Sequence, residues 1–189
     1  LVRSRGLGDV YKRQVVGSGP IAQTTLHFVK SLYTAAVPVK IHDLNSELVA
    51  RMVTRRGPEC SVVSLEEALG CDLVLLATNA GTPYVPMSVR FQPNQLILNI
   101  SLRDLHPESI KTANNVFDDV EHCLKANTTP HLLEQLNGNR DFVTGTLAEF
   151  ICSEKQLDPD RPTVFSPFGL GILDLAVAQS LYEHVPVSY

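Results

Sequence analysis

The 189-residue sequence has no apolar run approaching the roughly 20 residues that a membrane-spanning helix needs, and no apolar signal-like core near its first residue. No membrane partner is expected. Basic clusters are missing too: 16 Lys and Arg stand against 20 Asp and Glu, a net charge of −4, and the cations are scattered. Such a pattern does not advertise nucleic acid, so no nucleic-acid partner is expected. The four cysteines, Cys60, Cys71, Cys123 and Cys152, form neither a C-x-x-C pair nor a metal-ligand cluster with the histidines. They are expected to be buried thiols of a reducing, cytoplasmic protein. Repeats and low-complexity tracts are absent as well. What is present is 44% hydrophobic residues, enough for a globular core.

The start of the chain conflicts with the rest of it. A parallel strand buried on both faces reads as a near-continuous apolar run before its glycine turn. Here only Val15 and Val16 precede Gly17, after the polar Tyr11-Lys12-Arg13-Gln14. The stretch LVRSRGLGDVYKRQ resembles translated sequencing-adapter read-through, so residues 1–14 are expected to be a non-native artefact or a disordered arm. On that reading the chain is the C-terminal part of a larger protein, with half of its first strand replaced.

From Val15 onward, strands and helices alternate. Helical spacing of apolar residues runs from Ile21 to about Ala35, and Val37 to Ile41 reads as a buried strand. Asn45 can cap a helix that Gly57-Pro58 ends, Cys60 to Val63 is a short strand, and Ser64 with Glu67 forms a capping box on a helix ending near Gly70. Asp72 to Ala77, Gln95 to Ile100, Asn115 to Asp118 and Thr163 to Phe168 are the further strands. The region from Asp119 to Gln156 reads as helical, broken at Pro130 and Gly138, with Thr146 and Glu149 as a second capping box. A last helix is expected from about Gly169 to His184. The expected fold is therefore α/β, a doubly wound parallel sheet of the Rossmann type, with residues 15–165 as the nucleotide-binding domain and 166–189 as a segment leaving it. Ligands of such sheets lie at the carboxyl ends of the strands.

Those ends carry the informative residues. Gly17-Ser18-Gly19-Pro20-Ile21-Ala22 fits G-x-G-x-x-A: one glycine for the tight turn, one to admit a pyrophosphate, and a small residue for close helix packing. Asp43 ends the second strand, near the ~20-residue spacing at which an acid meets a ribose 2′-hydroxyl. A carboxylate there accepts hydroxyl hydrogen bonds and repels a 2′-phosphate, and Leu44 and Asn45 supply no arginine to neutralise one. The expected cofactor is NAD rather than NADP. The plainer alternative is that Asp43 caps the next helix. Ser18 is placed to add a hydroxyl contact, and Thr78 and Asn79 to touch a ribose or to form an ordinary polar loop.

Taken together, GSGPIAQ, LVLLATN, NISLRDL, DDVEHC and FSPFGLGILDLA resemble the ornithine cyclodeaminase and mu-crystallin family over Val15 to about His184. Cyclising members carry Asp-x-Pro-Gly-Lys after the fifth strand, whereas this chain reads Ile100-Ser101-Leu102-Arg103-Asp104, which argues against ornithine cyclisation. The resemblance is nearest to the branch that oxidatively cleaves N-(2-amino-2-carboxyethyl)-glutamate to 2,3-diaminopropionate and 2-oxoglutarate with NAD, a step of siderophore precursor synthesis. It implies a small amino acid substrate gripped by basic residues of an N-terminal lobe, and a homodimer formed through that lobe. That lobe is expected to be missing here, leaving cofactor binding without turnover. A cyclodeaminase or imine reductase, and a non-enzymatic ligand-binding protein like mu-crystallin, are the competing readings.

Within this frame Asp104 is the candidate acid or base, unless it pairs with Arg103 or caps the helix that Pro107 begins. The resemblance implies that Ser166 and Gly169 lie beside the cofactor, and Ser101 is a further candidate cofactor-binding residue. Asp174 matches an acidic position of the family but reads more plainly as an ordinary helix residue. His122 and Cys123 lack a third metal ligand, and His122 reads as a polar helix start; no metal is expected.

Overall fold

The computed structural model describes residues 13–31 and 38–184. Eight strands, β1 (Arg13–Val16), β2 (Val39–His42), β3 (Cys60–Val62), β4 (Leu73–Leu76), β5 (Leu96–Asn99), β6 (Asn114–Phe117), β7 (Val143–Thr146) and β8 (Thr163–Ser166), make one sheet in the order β3-β2-β1-β4-β5-β8-β6-β7. Every pairing is parallel. The connections carry helices α1 (Pro20–Ser31), α2 (Ser46–Arg56), α3 (Leu65–Leu69), α4 (Val120–Cys123), α5 (Thr129–Asn137) and α6 (Leu147–Ile151), and α7 (Gly171–His184) follows the last strand.

Alternation along the central strands sends side chains to two separate cores. Val15 of β1 and Leu75 of β4 pack with Ala22 and Leu26 of α1 and with Val49 and Met52 of α2. Val16, Val74 and Leu76 face the other way, onto Ala68 and Leu69 of α3 and onward to Phe117, Leu133 and Val164. Helix starts are where the caps predict: Asn45 accepts from the N–H groups of Glu47 and Leu48, and the capping boxes of Ser64 with Glu67 and Thr146 with Glu149 are both formed. The chain winds outward from β1 to β3 and then returns to β4 on the opposite side of β1. A crevice therefore opens at the carboxyl ends of β1 and β4.

Several expectations are corrected. Arg13 and Gln14 belong to β1, paired with Val39 and Lys40 of β2, so the strand begins before the boundary expected at Val15. Residues 1–12 of the suspected foreign stretch, and the end of the first helix at 32–35, lie outside the described residues. The region after Asp119 is not helical throughout: β7, an edge strand reading Val-Thr-Gly-Thr, has no apolar run to announce it. β8 stops at Ser166 because Pro167 cannot donate to a ladder, and α7 starts at Gly171 rather than Gly169. Cys60, Cys71 and Cys123 are buried, but Cys152 is exposed. No helix among the described residues is long and apolar enough to cross a membrane.

Candidate functional site

The crevice is a cleft of about 770 Å³ whose walls include the β1 turn, the end of β2 and the loop after β4. Gly17 makes the turn at φ +101°, with its N–H on the carbonyl of His42 at 2.9 Å. A Cβ there would lie 2.5 Å from the carbonyl oxygen of Ala77, so glycine is required for packing as well as for backbone angle. Gly19 is different: nothing lies within 4 Å of where its Cβ would be, and that open space faces the cleft. Pro20, at the first helical position, and Ile21 stand on the same wall, while Ala22 is fully buried beneath them and lets α1 approach the sheet. The first-turn N–H groups of α1 have no partner within the helix and present the positive end of its dipole to the cleft.

Asp43 reaches across the β1 turn. Its Oδ2 accepts from the Ser18 N–H at 2.7 Å and the Ser18 hydroxyl at 2.5 Å, and its Oδ1 accepts from the Asn45 N–H at 2.8 Å. Burial works to raise this carboxyl, but the Ser18 and Asn45 bonds and the nearby His42 hold it below the usual carboxylate range. Helix α2 is capped by Asn45 and not by Asp43. The Ser18 hydroxyl is turned to Asp43, in a fully buried residue. Beyond Asp43, the apolar side chains of Leu44, Leu48 and Leu65 continue the wall.

On the other side of β1, Thr78 and Asn79 line the cleft. The Thr78 hydroxyl donates to Asp104 Oδ1 at 2.6 Å, and Tyr84 donates to Asp104 Oδ2 at 3.1 Å. Asp104 is fully buried, so these two hydroxyls are what connects it to the cleft. Burial and then the Asp104 charge push the Tyr84 phenol, a donor at neutral pH in any case, well above its ordinary value. Neither plainer alternative for Asp104 holds: Arg103 donates instead to the carbonyls of Asn127 and Ala126 at 2.8 Å each, and His106 caps the turn begun by Pro107.

A second group lies at the ends of β5 and β8. Asn99 Nδ2 donates to Ser166 Oγ at 3.0 Å, and Ser101 stands just beyond on the same small cavity. The loop after β8 is shaped by Asp118, whose carboxylate accepts from the N–H groups of Phe168 and Gly169 and from the Cys123 thiol. Burial and then Asp118 push that thiol up to about 12. Gly169 has φ +101° and so permits the turn into α7. Asp174 is exposed on α7, and His122 stands in the first turn of α4, its N–H on Asp119. Among the described residues no group of three His, Cys, Asp or Glu gathers as for a metal ion.

Tyr84, Asn99 and Asp118 were not singled out from the sequence. Asn99 had a signal, a lone amide in the otherwise apolar strand Leu-Ile-Leu-Asn. Tyr84 had none, because its partner lies 20 residues away, and Asp118 stood in the DDVEHC stretch with its partner, 50 residues on, out of view.

No family model matches the chain. Among curated proteins it is similar to the NAD(P)H-dependent anabolic L-arginine dehydrogenase of Pseudomonas aeruginosa, 29% identical over 182 aligned positions that cover 89% of this chain and 56% of the relative. It is also similar to the alanine dehydrogenase of Archaeoglobus fulgidus, 25% identical over 180 positions, 89% of this chain and 55% of the relative. Of solved structures, the Thermococcus litoralis Δ1-pyrroline-2-carboxylate reductase, in complex with NADH and L-proline, superposes with a TM-score of 0.77 at 21% identity, covering 95% of this chain and 61% of that one. The chain thus spans about half the length of the curated relatives it matches. Those relatives and structural neighbours are named as amino acid dehydrogenases, reductases and cyclodeaminases, several of them NAD(P)-dependent or bound to NAD, and the fold this chain shares with them is the α/β Rossmann type.

Proposed function

We propose that the chain is the NAD-binding half of an amino acid dehydrogenase of this kind. The observation that carries the reading is the Asp43 carboxylate, held ionised at the end of β2 on the same cleft as the open Gly19 and the first turn of α1. The residues fit the cofactor. Pyrophosphate charge suits the free N–H groups of α1 over Gly19, ribose hydroxyls suit Asp43, and adenine suits the apolar wall of Leu44, Leu48 and Leu65. Ser18 serves by holding Asp43 in place, and Thr78 and Asn79 face the middle of the dinucleotide. Ser101, Ser166 and Gly169 attend the nicotinamide end. Bound NAD supplies the hydride acceptor.

The finer reading is oxidative cleavage of N-(2-amino-2-carboxyethyl)-glutamate. Hydride leaves the glutamate α-carbon, the amine proton goes to a base, and water splits the resulting C=N bond into 2-oxoglutarate and 2,3-diaminopropionate. Asp104 is the base this chain offers, and a proton reaches that buried carboxylate through the hydroxyls of Tyr84 or Thr78. The names of the two curated relatives favour a second reading, dehydrogenation of a primary α-amino acid.

Substrate carboxylates need cations, and we assign these to a second lobe, in the part of the relatives that this chain does not cover, which also makes the homodimer. Helix α7 is exposed along its whole length, with Ile172, Leu175 and Leu181 each more than half accessible, and we assign its apolar surface to packing against that lobe. Resequencing the source DNA upstream of the Val15 codon tests this. An in-frame lobe there, and NADH formation by its product with the glutamate-linked amine but not with alanine or arginine, are the expected results. NADH formation by the present chain alone would sink the two-lobe reading.

A further inference from the structure

The cavity between the ends of β5 and β8 holds two polar atoms without a partner. Asn99 is 2% exposed; its Nδ2 is used by Ser166, and its Oδ1 accepts nothing. Ser101 is 7% exposed, and its hydroxyl has no partner either. The neighbouring polar groups are engaged elsewhere: the Cys123 thiol has its one proton between Asp118 Oδ1 and the Ser166 carbonyl, and the Thr128 hydroxyl donates to the Cys123 carbonyl. A buried acceptor and a buried hydroxyl left open on residues of one cavity are costly to keep, and such orphans in a folded protein call for a missing partner.

Their place in the sheet says which partner. Asp43 follows β2 and Ser101 follows β5, and the order β2-β1-β4-β5 sets these strands three spacings apart, about 14 Å at the usual strand separation. With the adenosine ribose at Asp43, a dinucleotide crossing the switch point brings its other ring toward Ser101. The cavity measures about 10 Å³, room for one water-sized group and not for a ring.

We propose that Asn99 and Ser101 read the carboxamide of the nicotinamide: the amide N–H donates to Asn99 Oδ1, and the Ser101 hydroxyl donates to the amide oxygen. This rests on the assignment of NAD to the cleft. The pair would select nicotinamide over rings whose substituent lacks the N–H, and it would fix which ring face meets the substrate.

Titration calorimetry of this chain with NAD, with its 3-acetylpyridine analogue (methyl in place of amide NH2) and with ADP-ribose tests the proposal. NAD is expected to bind about tenfold more tightly than the analogue, the order expected for one hydrogen bond to a buried acceptor. Ser101→Ala is expected to lose about five- to tenfold in NAD affinity, keep ADP-ribose affinity, and melt no lower than the parent without ligand, since it deletes an unpartnered hydroxyl. Equal binding of NAD and the analogue, with Ser101→Ala indistinguishable from the parent, would mean that the cavity holds only a water, and would overturn the proposal while leaving NAD binding intact. Failure of all three ligands to bind would instead overturn the assignment of NAD and the proposal with it.

Discussion

Asp118 and Phe168, 50 residues apart in the chain, are joined by a backbone N–H that lies 3.0 Å from each of the two carboxylate oxygens. Gly169 adds a second N–H at 2.7 Å. One side chain at the end of β6 thus shapes the loop that leaves β8 beside the small cavity. Asp118→Asn, which exchanges an acceptor oxygen for a donor, is expected to destabilise the fold by about 1–3 kcal/mol. The sign with pH follows from the carboxyl. Burial works to raise it, but the N–H groups of Phe168 and Gly169 and the Cys123 thiol hold it below its unfolded value. Its contribution is therefore full above the unfolded value of about 3.9 and is lost as pH falls through the lower folded value. Melting curves of the parent and Asp118→Asn should differ at neutral pH and converge in acid; a constant difference across that range would contradict the account.

The two glycines of the β1 turn separate stability from binding. Gly17→Ala places a methyl 2.5 Å from the Ala77 carbonyl oxygen at a backbone angle that suits glycine, and should cost several kcal/mol or prevent folding. Gly19→Ala meets nothing within 4 Å and should leave the melting temperature almost unchanged. Its methyl occupies the space assigned to pyrophosphate, so NAD affinity should fall by tenfold or more in calorimetry. Equal melting temperatures for the two variants would show that the turn is misplaced.

Tyr84→Phe tests the bond to Asp104. Removing the phenol leaves Thr78 as the one side-chain hydroxyl on a fully buried carboxylate, and the fold should lose about 1–3 kcal/mol in urea denaturation. A variant as stable as the parent would mean that Asp104 does not depend on this hydroxyl.

Much of the domain was legible because its signals are local. The G-x-G-x-x-A turn, the Asn45 cap, both capping boxes, the alternation of β2 and the apolar runs of β4 and β5 each follow from neighbours within a few residues. What escaped depends on distant pairing. β7 is a polar edge strand recognisable only by its partner β6, and Asp118, Tyr84 and Asn99 acquire meaning through residues 50, 20 and 67 positions away. Arg13 and Gln14 misled because a buried parallel strand should be apolar, yet both are inside, at 5% and 1% exposure.

That mismatch is itself testable. The Gln14 amide, oriented to satisfy its surroundings, reaches the backbone of Glu67 and Ala68 rather than a side chain. Gln14→Leu leaves those backbone carbonyls without their side-chain partner and is expected to cost about 1–3 kcal/mol in urea denaturation. A variant as stable as the parent would mean that the end of α3 does not depend on this amide.

The central claim is that the cleft takes NAD and that Asp43 chooses it. The most direct measurement is calorimetric titration of the chain with NADH and NADPH, repeated on Asp43→Asn. The account predicts that NADH binds at least about tenfold more tightly to the parent, and that Asp43→Asn narrows the gap by weakening NADH and relieving the repulsion of the 2′-phosphate. NADPH binding as tightly as NADH to the parent, or a preference untouched by the substitution, would contradict it.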